Sequence, residues 1–508
     1  MNLITDPWIP VIRKNGTPDA IMPWQIAEVQ NPVIEINAPR PDFQGAFYQF
    51  LIGLLQTCFA PEDEDAWEEY WKKFPEPEEL KAAFEKVKDA FELYNPDGPA
   101  FMQDYNLPDG EPKKIAALLI EAPGGKTLKD NLDHFVKRDQ INCLCSACTA
   151  TALFTLQTNA PSGGSGHRVG LRGGGPLTTL VMSAATNTLL LEKLWLNVLN
   201  QEEIAGTEPV ESSVFPWLGT TRLSEEKGAI TTPNDVHALQ MYWGMPRRIR
   251  LVQNDESGKC DLCGKQAASI YKSYRTKKHG INYDGPWVHP LTPYRFDLKK
   301  KNLPLSIKGQ KGGLGYRHWL GLALQDEETG NKAATIVQFF NDERGRSLFN
   351  GHLASLWCFG YDMDNMKARC WYDSHFPIFA LNDKQKINLV DWAGELIGAA
   401  REVIKILRVQ VKHAWFRRPG DAKGDMSIID QQFWGKTEPD FYQLLDKLAK
   451  LPAETRMAPP EIYLSWFQTL QKSVFQIFEK ATMESTPEVL DLKRIISAQQ
   501  TLRKKFYE

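Results

Sequence analysis

The chain has 508 residues, 42% of them apolar and 24% charged, with a formal net charge of −3. That length exceeds one ordinary core, so two or three domains are expected in a protein of globular composition. The near-neutral charge excludes a uniformly basic nucleic-acid coat, so any polyanion must be met by local patches.

Residues 1–60 mix short β-like runs ("NPVIEINAPR") with an apolar helical segment from Phe43 to Phe59; the longest apolar stretch, around Phe47–Ala60, is interrupted by Gln49 and Gln56 and is too short for a membrane span. The opening "MNLITDPWIPV" lacks a basic and then apolar leader, so a cytoplasmic, thiol-reducing location is expected. Residues 61–80 are acidic and proline-broken, as in a solvated surface helix with its turns. From about 125 to 375 the chain is rich in glycine, proline and aromatics, with strand-like runs such as "AATIVQFF".

Beyond residue 385 apolar residues recur at helical spacing. The first stripe is Ile397, Ala400, Ile404, Leu407, Val411 and Ala414; the second is Phe441, Leu444, Leu445 and Leu448. The third is Ile462, Trp466, Leu470, Val474, Ile477 and Phe478; the fourth is Leu492, Ile495, Ile496, Leu502 and Phe506. Pro439, Pro459, Pro460 and Pro487 fall near the expected helix starts. The predicted fold is α+β, with a large irregular mixed domain over 1–380 and a four-helix bundle over 385–508.

Two C-x-x-C pairs, Cys145/Cys148 and Cys260/Cys263, have the spacing at which a tight turn aims two thiolates at one metal. Together they predict a closed structural zinc site. Cys143 competes with Cys145 for the first pair, and the x-x spacing favours Cys145. Redox-active or simply buried thiols are the alternative. Cys58, Cys358 and Cys370 stand in apolar or aromatic contexts and are expected to be packed thiols.

No Asp or Glu occurs from Gln140 to Leu191, or from Leu262 to Tyr283. The first window holds the glycine-rich "APSGGSGHRVGLRGGGP" (160–176). It is neither a Walker loop nor a Rossmann fingerprint, and it suits backbone laid against nucleic acid, with Arg168 and Arg172 on phosphates. A flexible surface loop is the plainer alternative. The second window holds "IYKSYRTKKHGINYDGPW" (270–287), expected to form a hairpin-like ribbon tipped by "TKKHG". In the first C-terminal helix Arg401, Lys405, Arg408 and Lys412 share one face, continued by Arg417 and Arg418, which suits phosphate contact. A solvated face is the ordinary explanation. No H-E-x-x-H, nucleophile elbow or carboxylate cluster points to an active site.

In order, "NLITDPWIPV", "APRPDFQGAF", "FMQDY", "CSACTATALF", "GLRGGGPLTT", "GKCDLCG", "WVHP" and the terminal helices resemble CasA. That family is the large subunit of the type I-E CRISPR surveillance complex, Cascade, and the likeness spans nearly the whole chain. The resemblance implies a non-enzymatic DNA-recognition subunit that reads the protospacer-adjacent motif (PAM) from the minor groove. The glycine loop would be Ser162, Gly163, Gly164, Ser165 and Gly166, and the reading lysine Lys278. The duplex-opening wedge would lie in "GYDMDNMKAR", at Asn365 where the family can carry glutamine, or at Met366. Phe135 would anchor the 5′ end of the guide, and the basic helix face would hold the displaced strand. Implied partners are CRISPR RNA, the backbone, guide-end and small Cascade subunits, target DNA and a recruited helicase–nuclease, with no membrane. Rival readings are a metal-dependent nucleotide- or nucleic-acid-processing enzyme and a zinc-stapled scaffold.

Overall fold

The computed structural model describes residues 1–104, 107, 109–124, 129–130, 139–164, 166–185, 187–204, 211–226, 229–309, 312–345, 354–364, 367–421, 425–484 and 491–507. The chain forms two compact units. One comprises Met1–Gly309, Ala334–Ile336 and Trp357–Asp373; the other comprises Gln310–Ala333, Val337–Leu356 and Ser374–Glu508.

The first unit opens with an antiparallel sheet of β1 (Ile9–Arg13), β2 (Pro18–Ile21) and β3 (Val33–Ile36), in the order β2-β1-β3. Pro41 then starts α1 (Pro41–Cys58), where a missing N–H costs nothing. This helix is apolar almost all round, and its residues 45–56 are all buried, so it forms the spine of the unit. Phe50 lies at its centre and meets Phe91, Phe101, Phe154 and Trp243 edge-on, at centroid distances of 5.8–6.0 Å. Such edge-to-face pairs add to what burial alone provides. The acidic segment forms α2 (Glu64–Lys72) and α3 (Pro77–Glu85), as expected for a surface element. Trp67 is its fully buried anchor.

A four-stranded sheet supports the cysteine and glycine segments. Its strands are β4 (Glu111–Lys114), β5 (Leu144–Cys145), β7 (Arg248–Asn254) and β10 (Ile270–Lys277), and β10 pairs antiparallel with each of the others. β6 (Thr178–Ser183) belongs to a separate three-stranded sheet. Between β7 and β10, β8 (Gly258–Lys259) and β9 (Gln266–Ala267) form a small hairpin. α4 (Ser146–Asn159) follows β5 directly. A long hairpin, β11 (Ala354–Asp364) and β12 (Lys367–Ile378), joins β6 in the order β12-β11-β6.

The second unit contains α5 (Asp383–Trp415), α6 (Ser427–Ala449), α7 (Pro460–Met483) and α8 (Leu492–Tyr507). The three expected apolar stripes on α5, α6 and α7 are buried throughout. Tyr316 stacks on Phe441 at 4.4 Å and its hydroxyl shares a hydrogen bond with Thr437 at 2.9 Å, while Trp466 Nε1 donates to the Leu396 carbonyl at 2.8 Å.

Several local expectations are corrected. "AATIVQFF" is helical, with an α-turn at Thr335–Phe339 running into a π-turn at Phe340–Arg344; a short apolar run carries no period that separates strand from buried helix. Pro439 lies inside α6, not at its start. Leu492 and Ile496 on α8 are 55% and 52% exposed, so only Ile495, Leu502 and Phe506 of that stripe face inward. Cys370 is exposed, whereas Cys358 is buried. Residues 270–287 do not fold back as a ribbon: β10 is a central strand whose partners come from distant segments.

Candidate metal centre and nucleic-acid interface

Cys145 closes β5 and caps α4, where its sulfur accepts from the Cys148 amide at 3.5 Å. Cys260 and Cys263 stand on the turn between β8 and β9. There the Cys260 amide donates to Lys265 O and the Gly264 amide to Cys260 O, both at 2.9 Å. Gly264 has φ +73°, a left-handed conformation suited to glycine. Cys145 pairs with Ile270 at the start of β10, which brings the two turns together. The four sulfurs lie within 4.8 Å of one another. Cys145 and Cys263 are separated by 3.8 Å. Four thiolates about 2.3 Å from a central zinc would stand about 3.8 Å apart, so the cluster could hold a metal ion.

The neighbouring Cys145 and Cys148 thiols hold the Cys260 thiol below its ordinary range. Cys143 is outside the cluster: its sulfur donates to the Lys259 carbonyl at 3.2 Å. Asp261 laces the two turns, accepting from the Asn142 and Cys143 amides at 2.7 and 2.9 Å.

Two elements leave this cysteine cluster. The 14 residues of α4 rise about 21 Å, and the 8 residues of β10 about 26 Å, so their far ends can meet. They do meet. The glycine segment follows α4, Lys278 follows β10, and the His279 amide donates to Gly166 O at 2.6 Å. A Cβ on Gly166 would stand 2.8 Å from Lys278 Cβ. Gly164 and Gly166 both have φ +81°. Ser162, Gly163, Gly164 and Lys278 are exposed; Ser165 lies outside the described residues.

Arg247, a residue the sequence did not single out, lies beneath this loop and donates to the Pro161 carbonyl. Its presence is felt at His167, whose pKa is pushed down to about 4 by burial first and then by Arg247, Lys278 and Lys113. The local field is therefore positive, which suits a polyanion.

The two arginines expected on phosphates are engaged elsewhere. Arg168 donates to Ser224 Oγ at 2.6 Å and to its carbonyl at 2.7 Å. Arg172 is only 5% exposed and bonds Gln49, Thr178 and Thr292.

The hairpin expected to carry the wedge forms, but Asn365 and Met366, which lie between its strands in sequence, fall outside the described residues, as does Phe135. Asp362 in β11 is 2% exposed and accepts from Arg369 Nη2 at 2.6 Å and from the Tyr372 hydroxyl at 3.0 Å, which ties the strands near the tip. A Cβ on Gly175 would stand 2.7 Å from Met363 Cγ, so the end of the glycine segment packs against this hairpin.

On α5, Arg401 pairs with Glu328 at 3.2 Å, Lys405 with Glu402 at 2.6 Å and Arg408 with both oxygens of Asp430 at 2.5 Å. The face that reads as purely basic is thus largely neutralised by carboxylates, two of them from outside α5. Lys412 is half-buried.

No helix among the described residues is long and apolar enough to cross a membrane. The sequence model of the CRISPR-associated protein Cse1 family matches residues 2–477. A CRISPR-associated protein CasA/Cse1 from Thermus thermophilus is 23% identical over 350 residues, 68% of this chain; the alignment spans 64% of that relative, just under two thirds. The fold matches Thermus thermophilus CasA (Cse1) with a TM-score of 0.71 at 18% identity, covering 100% of this chain and 98% of the other. It also matches a chain of a CRISPR RNA-guided surveillance complex with a TM-score of 0.72 at 16% identity, covering 100% and 99%. Thermobifida fusca Cse1 matches at 0.70 and 18% identity, covering 100% and 97%. With the family model matched along nearly its whole length, the chain belongs to the CRISPR-associated protein Cse1 family.

Proposed function

We propose that this chain is the non-enzymatic large subunit of a CRISPR RNA-guided DNA surveillance complex, which reads the PAM through the minor groove and opens the duplex. The observation that carries this reading is the junction of Ser162–Gly166 with Lys278, tied by the hydrogen bond from His279 to Gly166. An exposed glycine backbone beside one lysine, in a positive field, fits a groove whose edges tell little beyond A·T from G·C, and predicts a tolerant reader. The likeness to a chain of a surveillance complex supports the assignment.

Asn365 or Met366 acts as the wedge; unstacking costs a few kcal/mol per step, offset by guide–target pairing. Phe135 meets the guide end. The metal at Cys145, Cys148, Cys260 and Cys263 is a structural zinc. The four C-terminal helices act as a four-helix bundle whose Arg401, Lys405, Arg408 and Lys412 hold the displaced strand by exchanging carboxylates for phosphates. The partners are CRISPR RNA, the other Cascade subunits, target DNA and a recruited helicase–nuclease, all in the cytoplasm.

The test is competition binding by the assembled complex against a library of flanking sequences. Lys278→Ala should remove most discrimination between flanks while assembly stays intact. Unchanged discrimination in that variant would sink the reading. Magnesium-dependent cleavage of nucleic acid or nucleotide by the purified chain would show an enzyme instead.

A further inference from the structure

We infer that a cavity beneath the glycine-rich segment binds a single monatomic anion of the halide class, held between Arg172, Tyr242 and His289. The cavity is lined by these residues with Gln49, Leu171 and Leu291 among others. Arg172, Tyr242 and His289 are 5%, 6% and 2% exposed.

The wall is rich in donors and poor in acceptors. Arg172 spends three of its five N–H groups on neutral oxygens: Thr178 Oγ1 at 3.2 Å, Thr292 Oγ1 at 3.0 Å and Gln49 Oε1 at 2.5 Å. Among the described residues no carboxylate pairs with it. The Tyr242 hydroxyl has no protein partner. His289 accepts the Leu291 amide on Nδ1 at 3.1 Å, which leaves its proton on Nε2. The Tyr242 and His289 rings are 4.9 Å apart. Gln49 Oε1, the acceptor nearest Arg172, already takes Thr178 as well.

A buried guanidinium stays charged, and a charge removed from water without a counter-ion is costly. Burial keeps Tyr242 protonated and His289 neutral, so neither supplies the missing negative charge. The space admits a guest no larger than one water or a monatomic ion, which excludes phosphate and carboxylate ligands. A halide completes the donors and neutralises Arg172. It would thereby fix the root of the glycine segment, where the Arg172 carbonyl accepts from Ser306 and the Gly173 amide donates to Gly170 at 2.8 Å.

The test uses the full chain in two ways. Crystals grown in bromide should show one anomalous peak in this cavity. Thermal melting at fixed ionic strength should rise by on the order of 2 °C from gluconate to chloride or bromide, saturably. Tyr242→Phe should weaken that halide response and Arg172→Met should abolish it. If Arg172→Met fails to fold, Tyr242→Phe and the bromide peak still decide. A cavity without anomalous signal, or a melting temperature indifferent to halide, would overturn the inference in favour of a bound water.

Discussion

At Gly166 the backbone stands at φ +81° with Lys278 Cβ where a side chain would go. A non-glycine residue there costs about 1–2 kcal/mol and must push the lysine aside. Gly166→Ala should weaken binding of a correctly flanked target by about tenfold in the assembled complex, with binding to unflanked DNA unchanged. Equal losses on both targets would separate the loop from flank reading. His167 offers a pH test. Its folded pKa of about 4 lies below the ordinary 6.5, so between those values the unfolded chain takes up a proton that the folded chain refuses. Stability should therefore fall as pH drops through that window, by at most about 1.4 kcal/mol per unit, and level off below it. Melting from pH 7 to 4 in wild type and His167→Gln measures this; a slope that persists in the variant would assign it elsewhere. Cys143 and Cys145 make a sharper pair. Cys143→Ser should keep about one zinc per chain, and Cys145→Ser should lose it, as read by elemental analysis.

Among the elements, the C-terminal helices were the most legible, because a 3.6-residue period is a local property and three of the four stripes are buried as spaced. Their charge was less so. The sequence places Arg408 on a single-sign basic face, yet Asp430, 22 residues away on α6, takes it bidentately. If this face holds the displaced strand, Arg408→Ala should flatten the log–log salt dependence of binding by about one unit, and Asp430→Asn should steepen it by releasing the guanidinium. The pair is half-exposed and worth about 1 kcal/mol or less, so neither change should unfold the helices. Identical salt slopes in all three proteins would remove this face from DNA contact. The ribbon expected at 270–287 failed for the opposite reason. Alternating aromatics and basic residues mark a strand, but the partners of β10 lie at 111–114, 144–145 and 248–254, and no local turn signal announces them.

At the scale of the molecule the four-cysteine cluster, which could hold a metal ion, is the common base of two arms, α4 and β10. Cys260→Ser, or stripping the metal with a chelator, should cost flank discrimination at a dose that leaves far-ultraviolet helical signal intact. Simultaneous loss of both would make the centre a general folding determinant. The second unit has its own buried stripes and its Tyr316–Phe441–Trp466 contacts, so it does not depend on those sulfurs for a core.

From spacing and composition alone came the thiol pairs, the acid-free windows and the helical stripes; the family was legible only as a resemblance of ordered segments. All of these are short-range or additive features of the chain. Tertiary structure decided which sulfurs meet, with Cys145 in and Cys143 out, and which arginines face solvent. It buried Arg172 against Gln49, Thr178 and Thr292 and tied Arg168 to Ser224, partners that lie far away in sequence or on other elements. It also joined Lys278 to a glycine loop more than a hundred residues earlier, a contact that only the lengths and packing of one helix and one strand could arrange.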